Sequence, residues 1–276
     1  MNHNTKHGDV LKIVAFAGTG KTTTLVEYTK LRPSWNFLNV AYNKSVQEQA
    51  VKRFPSNVES RTVHSLAFRA VGHKFRRKMA SSLRVNNIMD NLDKDSANFL
   101  HAKRVIDTLT NFICSYDDRI SSEHVPYRDI TTEESDGDRN NLEFFNSDKY
   151  IKIVVSDAKD IWNKMSDPEN LDVRITHDGY LKLYQLSKPV IRNFHCILVD
   201  EAQDCTPAVA DILLSQAVAK ILVGDPHQQI YGFRGATNAM ARVEATHVYY
   251  LTQVIDYCLL KRVSTFTRAI FSFCCV

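Results

Sequence analysis

Gly18, Gly20, Lys21 and Thr22 fall close together in Ala15-Phe16-Ala17-Gly18-Thr19-Gly20-Lys21-Thr22, a spacing suited to holding the phosphates of a nucleotide. The two glycines let backbone N–H groups curl around phosphate oxygens, and a helix beginning at once presents its positive end to them. Lys21 brings a point charge to the β and γ phosphates, and Thr22 brings a hydroxyl to Mg²⁺. Ala17, Thr19 and Thr23 complete the loop, while Ala15 stands where the first glycine of such a loop is usual. The competing reading is a glycine-rich turn followed by an accidental Lys-Thr. An apolar run before the loop and a helical stretch after it argue against that.

A second cluster follows the apolar run Cys196-Ile197-Leu198-Val199, which delivers Asp200 and Glu201. Open α/β sheets bind ligands at the C-terminal ends of their strands. An Asp there can hold Mg²⁺ through its water shell, and the adjacent Glu can orient and deprotonate an attacking water. Alone, an apolar run ending in Asp-Glu says little. Joined to a phosphate loop in the same chain, it becomes a strong signal.

The elements that must position these residues are legible as apolar runs. Val10 to Phe16, Phe37 to Tyr42 and Val58 to Val63 read as strands, with helices over Thr22 to Thr29 and Ser45 to Phe54. Strand-like runs return at Cys196–Val199, Lys220–Val223 and His247–Leu251. Between them, from about residue 65 to 190, the spacing is helical. Its apolar set is Phe99, Val105, Ile106, Leu109, Phe112 and Ile113, then Leu181, Leu183, Tyr184 and Leu186. A parallel sheet interrupted by a helical insertion accounts for this order. Residues 131–141 contain no large apolar side chain and read as a mobile loop. The basic run His73-Lys74-Phe75-Arg76-Arg77-Lys78 reads either as a phosphate contact or nuclear address, or as a solvated helix face.

The 276 residues allow one large domain or two modest ones, and 44% hydrophobic with 24% charged residues is the balance of a folded globular chain. Lys and Arg number 35 against 31 Asp and Glu, an excess that permits a polyanionic partner without requiring one. Six scattered cysteines without a CxxC pair disfavour a disulfide scaffold or zinc module and fit a reducing compartment. No stretch approaches the roughly 18 apolar residues of a membrane span, so the expectation is a soluble, intracellular protein with no membrane partner.

The run Asp200-Glu201-Ala202-Gln203-Asp204, followed by Val223-Gly224-Asp225-Pro226-His227-Gln228-Gln229-Ile230-Tyr231-Gly232-Phe233-Arg234-Gly235-Ala236, resembles the UvrD/Rep-type superfamily 1 DNA helicases. Within them the sequence is most similar to the F-box DNA helicase branch, through Ala41-Tyr42-Asn43-Lys44-Ser45, Thr62-Val63-His64-Ser65-Leu66-Ala67 and Asp178-Gly179-Tyr180. The likeness covers about residues 4 to 253. It implies an α/β fold, a RecA-like P-loop NTPase sheet flanked by helices, with an all-α insertion subdomain. The core would comprise 1–66 and 191–253, the insertion 67–190, and the tail 254–276 would lie outside the family pattern.

The resemblance also implies ATP and Mg²⁺ as ligands, with Lys21 on phosphate, Thr22 and Asp200 on the metal, and Glu201 on the water. Gln228 would sense the γ-phosphate, and Gln203 would link this site to the DNA-contacting elements. Tyr42, Asn43, Lys44, Thr62 and His64 would touch the backbone of single-stranded DNA. Tyr231 and Phe233 would stack on bases, with Arg234 coupling the two sites. Each has a plainer reading: core aromatics for Tyr231 and Phe233, a solvated helix start for Asn43-Lys44, a satisfied half-buried side chain for His64. The implied partners are single-stranded and forked DNA, with ubiquitin-ligase or repair proteins and a nuclear setting by family.

Two departures bear on this. The chain begins at Met1-Asn2-His3-Asn4, after the place of the family's adenine-reading glutamine motif, and Val254-Ile255-Asp256-Tyr257 stands where the family continues with a Ser-Phe-Arg type segment. The expectation is therefore the ATP-binding half of a helicase. The alternatives are a nucleotide-dependent single-strand-binding module without turnover, and a small P-loop GTPase or kinase. For the last, Asn43-Lys44-Ser45-Val46 matches a guanine-reading Asn-Lys-x-Asp only in part.

Overall fold

A computed structural model of the chain describes residues 5–93, 98–127, 146–225, 228 and 243–252. The mobile loop expected at 131–141, the residues Tyr231, Phe233 and Arg234, and the tail from 254 lie outside the described residues.

Six strands, β1 (Val10–Ala15), β2 (Phe37–Ala41), β3 (Val58–Thr62), β4 (Cys196–Val199), β5 (Ala219–Gly224) and β6 (His247–Leu251), form one sheet in the order β3-β2-β4-β5-β1-β6. Every pairing in it is parallel. Burial explains the composition of the strands. Strands β2, β4 and β5 are buried at every residue, as expected of central strands covered on both faces, whereas the edge strands β3 and β6 are partly exposed. Leu11, Ile13 and Ala15 of β1 meet Leu198, Ile221 and Val223 in the core, together with Leu25, Val26 and Tyr28 of α1 (Lys21–Lys30). From α2 (Lys44–Arg53) Ala50 joins the same cluster, as does Phe54 beyond its end.

Helices α1 and α2 begin and end within a residue of their expected bounds, and a small difference at the end of β3 has a local cause. Val63 opens α3 (Val63–Ala70) rather than closing β3, because the Thr62 hydroxyl oxygen accepts from the Ser65 N–H at 3.1 Å and caps the new helix.

Residues 67–188 form a second compact unit, described here by itself. Its described elements are helical: α4 (Val85–Met89), α5 (Phe99–Cys114), α6 (Asp148–Ser166), α7 (His177–Leu186) and two 3₁₀ turns. A single isolated parallel bridge joins Met79 to Ile175. Asn98, Ser147 and Thr176 cap α5, α6 and α7 through their side-chain oxygens.

Two sequence readings become more specific in this unit. The basic run is not a uniformly solvated face. Gly72–Lys78 is a 3₁₀ helix whose three-residue period buries Gly72, Phe75 and Lys78 and exposes His73, Lys74, Arg76 and Arg77. In α7 the buried set is Tyr180, Leu181, Lys182, Tyr184 and Gln185, while Leu183 and Leu186 are half-buried. The Lys182 ammonium donates to the carbonyl oxygens of Ser115 and Asp117 at 2.8 and 2.7 Å, and this pairing offsets much of the cost of burying a lysine. No described helix is long and apolar enough to cross a membrane.

Candidate nucleotide site

Because all six strands run in one direction, the turns that leave them gather at one edge of the sheet. The phosphate loop leaves β1, Tyr42 to Lys44 leave β2, Val63 and His64 leave β3, Asp200 and Glu201 leave β4, and Asp225 leaves β5. The register sets Ala41 opposite Thr62 and Val199 opposite Leu222, so these exits lie in neighbouring columns.

Gly18 and Gly20 have φ of 75° and 82°, left-handed values that cost a side-chain-bearing residue and cost glycine little. The buried Thr19 fastens the turn, its N–H and hydroxyl both donating to the Phe16 carbonyl oxygen, at 3.3 and 2.7 Å. Helix α1 then starts from Gly20 with no side-chain cap. Among the described helices of eight or more residues, the others begin on Asn, Thr or Ser oxygen atoms, including α8 (Pro207–Leu214) on Thr206. The first-turn N–H groups of α1 are thus left for a ligand, and an anion is what they attract.

The side chains expected to meet there do meet. Lys21 Nζ donates to Glu201 Oε2 at 2.9 Å, and the Thr22 hydroxyl donates to Asp200 Oδ2 at 2.7 Å. Glu201 itself adopts a left-handed φ of 53°, and its N–H donates to Asp200 Oδ1 at 3.1 Å. This backbone conformation costs a non-glycine residue of order 1–3 kcal/mol and is held only where surrounding contacts enforce it. Burial pushes the Asp200 carboxyl above the usual carboxylate range, the neighbouring Glu201 charge adds to this, and the Thr22 hydroxyl opposes it.

Gln203 is buried with both ends of its amide engaged. Its Nε2 donates to Glu201 Oε2 at 2.9 Å, and its Oε1 accepts from the Asp225 N–H at 3.1 Å. A Cβ built on Gly224 would overlap that Oε1, so the last residue of β5 must be glycine for the amide to reach across. The sequence marks this position only as a glycine directly after an apolar strand. Gln228 is exposed, its N–H donating to the Asp225 carbonyl oxygen at 3.1 Å.

Asn43 caps α2, its side-chain oxygen accepting from the Val46 N–H at 2.9 Å, which accounts for that residue structurally. Lys44 is exposed, and Tyr42, Thr62 and His64 are half-buried along the same edge. No group of three or more His, Cys, Asp or Glu suited to a metal occurs among the described residues. The Thr22 and Asp200 oxygens do suit Mg²⁺, which takes one or two hard protein ligands and fills the rest with water and phosphate. Cys196 is buried, and burial raises its thiol to about 12, which keeps it a neutral thiol at neutral pH.

A parallel α/β sheet with a phosphate loop after its first strand and acidic residues after its fourth defines a RecA-like P-loop domain. The comparison with known proteins is more specific. Residues 39–245 match the UvrD/REP helicase N-terminal domain, and the chain belongs to that family. It is 45% identical over 263 residues to F-box DNA helicase 1 of Gallus gallus, covering 92% of this chain and 25% of that protein. With F-box DNA helicase protein 1 of Schizosaccharomyces pombe it shares 33% identity over 255 residues, covering 85% of this chain and 27% of that one. The chain thus spans about a quarter of the length of these relatives.

Proposed function

We propose that this chain is the ATP-binding half of an ATP-dependent DNA helicase, in which nucleotide hydrolysis drives movement along single-stranded DNA. The observation that supports this most is the paired contact of Lys21 with Glu201 and of Thr22 with Asp200 at the C-terminal edge of the sheet. The phosphates of ATP take the N–H groups from Ala17 through Thr23, with Lys21 on the β and γ groups. Thr22 and Asp200 would hold Mg²⁺, which would supply neutralisation of phosphate charge.

Without nucleotide, Lys21 and Glu201 neutralise each other. Incoming phosphate draws Lys21 away, which frees the Glu201 carboxylate to accept a proton from the attacking water. Gln203 keeps that carboxylate in place and ties it to Asp225, on the segment that carries Gln228 as γ-phosphate sensor. Tyr42, Asn43, Lys44, Thr62 and His64 contact the DNA backbone, Tyr231 and Phe233 stack on bases, and Arg234 couples the two sites. In this reading the core is 1–66 with 191–253, and the insertion 67–190 grips duplex ahead of the fork. The setting in this reading is nuclear DNA repair, and the relatives' names support the DNA helicase part of it.

The test is phosphate release by the purified chain with and without single-stranded DNA, beside Lys21→Ala. DNA-stimulated release that Lys21→Ala abolishes supports a motor ATPase. ATP-dependent DNA binding without Lys21-dependent release would instead identify a binding module.

A further inference from the structure

Arg53, the last residue of α2, is 30 positions from the phosphate loop in sequence, yet its Nη2 donates to the Thr23 hydroxyl oxygen at 3.2 Å. Thr23 is the third residue of α1 and directly follows Thr22. Lys52 and Arg53 would ordinarily be read as cations favouring the negative end of their own helix. The guanidinium of Arg53 instead reaches out of α2 to the first turn of α1. It is exposed, and no carboxylate among the described residues pairs with it. Its backbone is fixed, because Ala50 and Phe54 on either side are buried in the sheet's core cluster.

Position on the helix says which part of a ligand it would meet. Successive residues of an α-helix point about 100° apart. Thr22 faces Asp200 at 2.7 Å, so Thr23, and Arg53 with it, lies off the flank where the acidic residues stand. The γ end of a nucleotide belongs beside Lys21 and Glu201. Its nucleoside end must leave on another flank of the same turn.

The geometry points to Arg53 as a nucleoside-binding residue of this site, its planar guanidinium stacking on the base while Thr23 holds its edge. This deepens the proposed function and rests on the phosphate-loop reading. A guanidinium uses one of five N–H groups on Thr23 and keeps a face free for a base. Such stacking favours any base, because every base has a π-face. Arg53 therefore supplies affinity without choosing adenine.

The experiment is calorimetric titration of the full chain and its variants with ATP, GTP and inorganic tripolyphosphate, all with Mg²⁺. Arg53→Ala is expected to weaken ATP and GTP alike by about tenfold, within the range of a single cation–π or base-stacking contact, and to leave tripolyphosphate within about twofold. Arg53→Lys, which keeps the charge and loses the plane, is expected to lose most of the same affinity. Lys21→Ala should weaken all three ligands. Unchanged ATP binding in Arg53→Ala, an equal loss for tripolyphosphate, or wild-type behaviour of Arg53→Lys would each overturn the assignment. A wild-type chain that binds none of the three overturns the phosphate-loop reading and this one with it. Binding of all three that responds to Lys21→Ala alone overturns only Arg53.

Discussion

The two units of the chain hold their lysines in different ways, buried ones on backbone carbonyl groups in the helical unit and a half-buried phosphate-loop lysine on a carboxylate in the sheet unit. In the helical unit, Lys78 and Lys182 are 2% and 0% exposed, and each ammonium donates to two backbone carbonyl oxygens at a helix C-terminus. Lys78 bonds those of Lys164 and Asp167 at 2.9 and 2.8 Å, closing α6, and Lys182 bonds those of Ser115 and Asp117, closing α5. Phe112 adds its ring face 4.4 Å from the Lys182 nitrogen. In the sheet unit, the Lys21 side chain is 12% exposed and bonds one carboxylate, whose own side chain is 39% exposed. Carbonyl groups fixed in a helix end have nowhere to go, whereas a half-exposed glutamate can give up its partner to a phosphate. A cation held by fixed carbonyl groups closes a structure, and one held by a half-exposed carboxylate is free to exchange that partner.

The sharpest way to break this contrast is to remove the lysines in turn. Lys21→Ala should lower Mg²⁺-dependent ATP affinity by at least a hundredfold while leaving the denaturant midpoint close to wild type. Lys182→Ala should do the reverse. It strands two buried carbonyl groups, at about 1–3 kcal/mol each, so urea unfolding should show a loss of about 3 kcal/mol or more with nucleotide affinity of the folded chain unchanged. An equal effect of both variants on both readouts would erase the distinction.

The carboxylates sharpen it further. Glu201→Gln keeps the shape and loses the carboxylate to which the proposed function gives the role of base, so phosphate release should fall by about 10²–10⁴ while ATP still binds. For Asp200, burial and the Glu201 charge raise the folded carboxyl pKa above its unfolded value. In the window between those two values the folded chain holds more protons than the unfolded one, so stability falls as pH rises through it. Asp200→Asn should therefore stabilise the nucleotide-free protein at neutral pH. That advantage should shrink as pH drops through the same window, and melting curves across pH check it. The smallest expected effect is that of Gly224→Ala, which displaces the Gln203 amide from Glu201 and Asp225. It should slow phosphate release severalfold with little change in ATP affinity.

The strands and the phosphate loop were legible because burial on both faces forces near-continuous apolar runs, and because glycines at positive φ leave few substitutes. Asp200, Glu201, Lys21 and Thr22 were legible as chemistry, and parallel topology brings them to one edge. What escaped depends on partners far apart in sequence. Lys78 and Lys182 look like surface residues until the helix ends they close are known. Gly224 looks like a strand terminator until the Gln203 oxygen is seen occupying the space of its Cβ. The 3₁₀ period of Gly72–Lys78 hid a buried lysine inside a run that reads as solvated. Asn43 carried a DNA-binding expectation on motif grounds, and its side-chain oxygen is engaged in capping α2.

In the proposed function the Lys21–Glu201 pair is a catalytic site at rest. The most direct measurement is single-turnover phosphate release from ATP by the wild-type chain and Glu201→Gln, each with saturating single-stranded DNA. The account predicts DNA-stimulated release by the wild type and at least a hundredfold slower release by Glu201→Gln with ATP binding intact. Equal release by the two proteins, or none from a wild-type chain that binds both ligands, would contradict it.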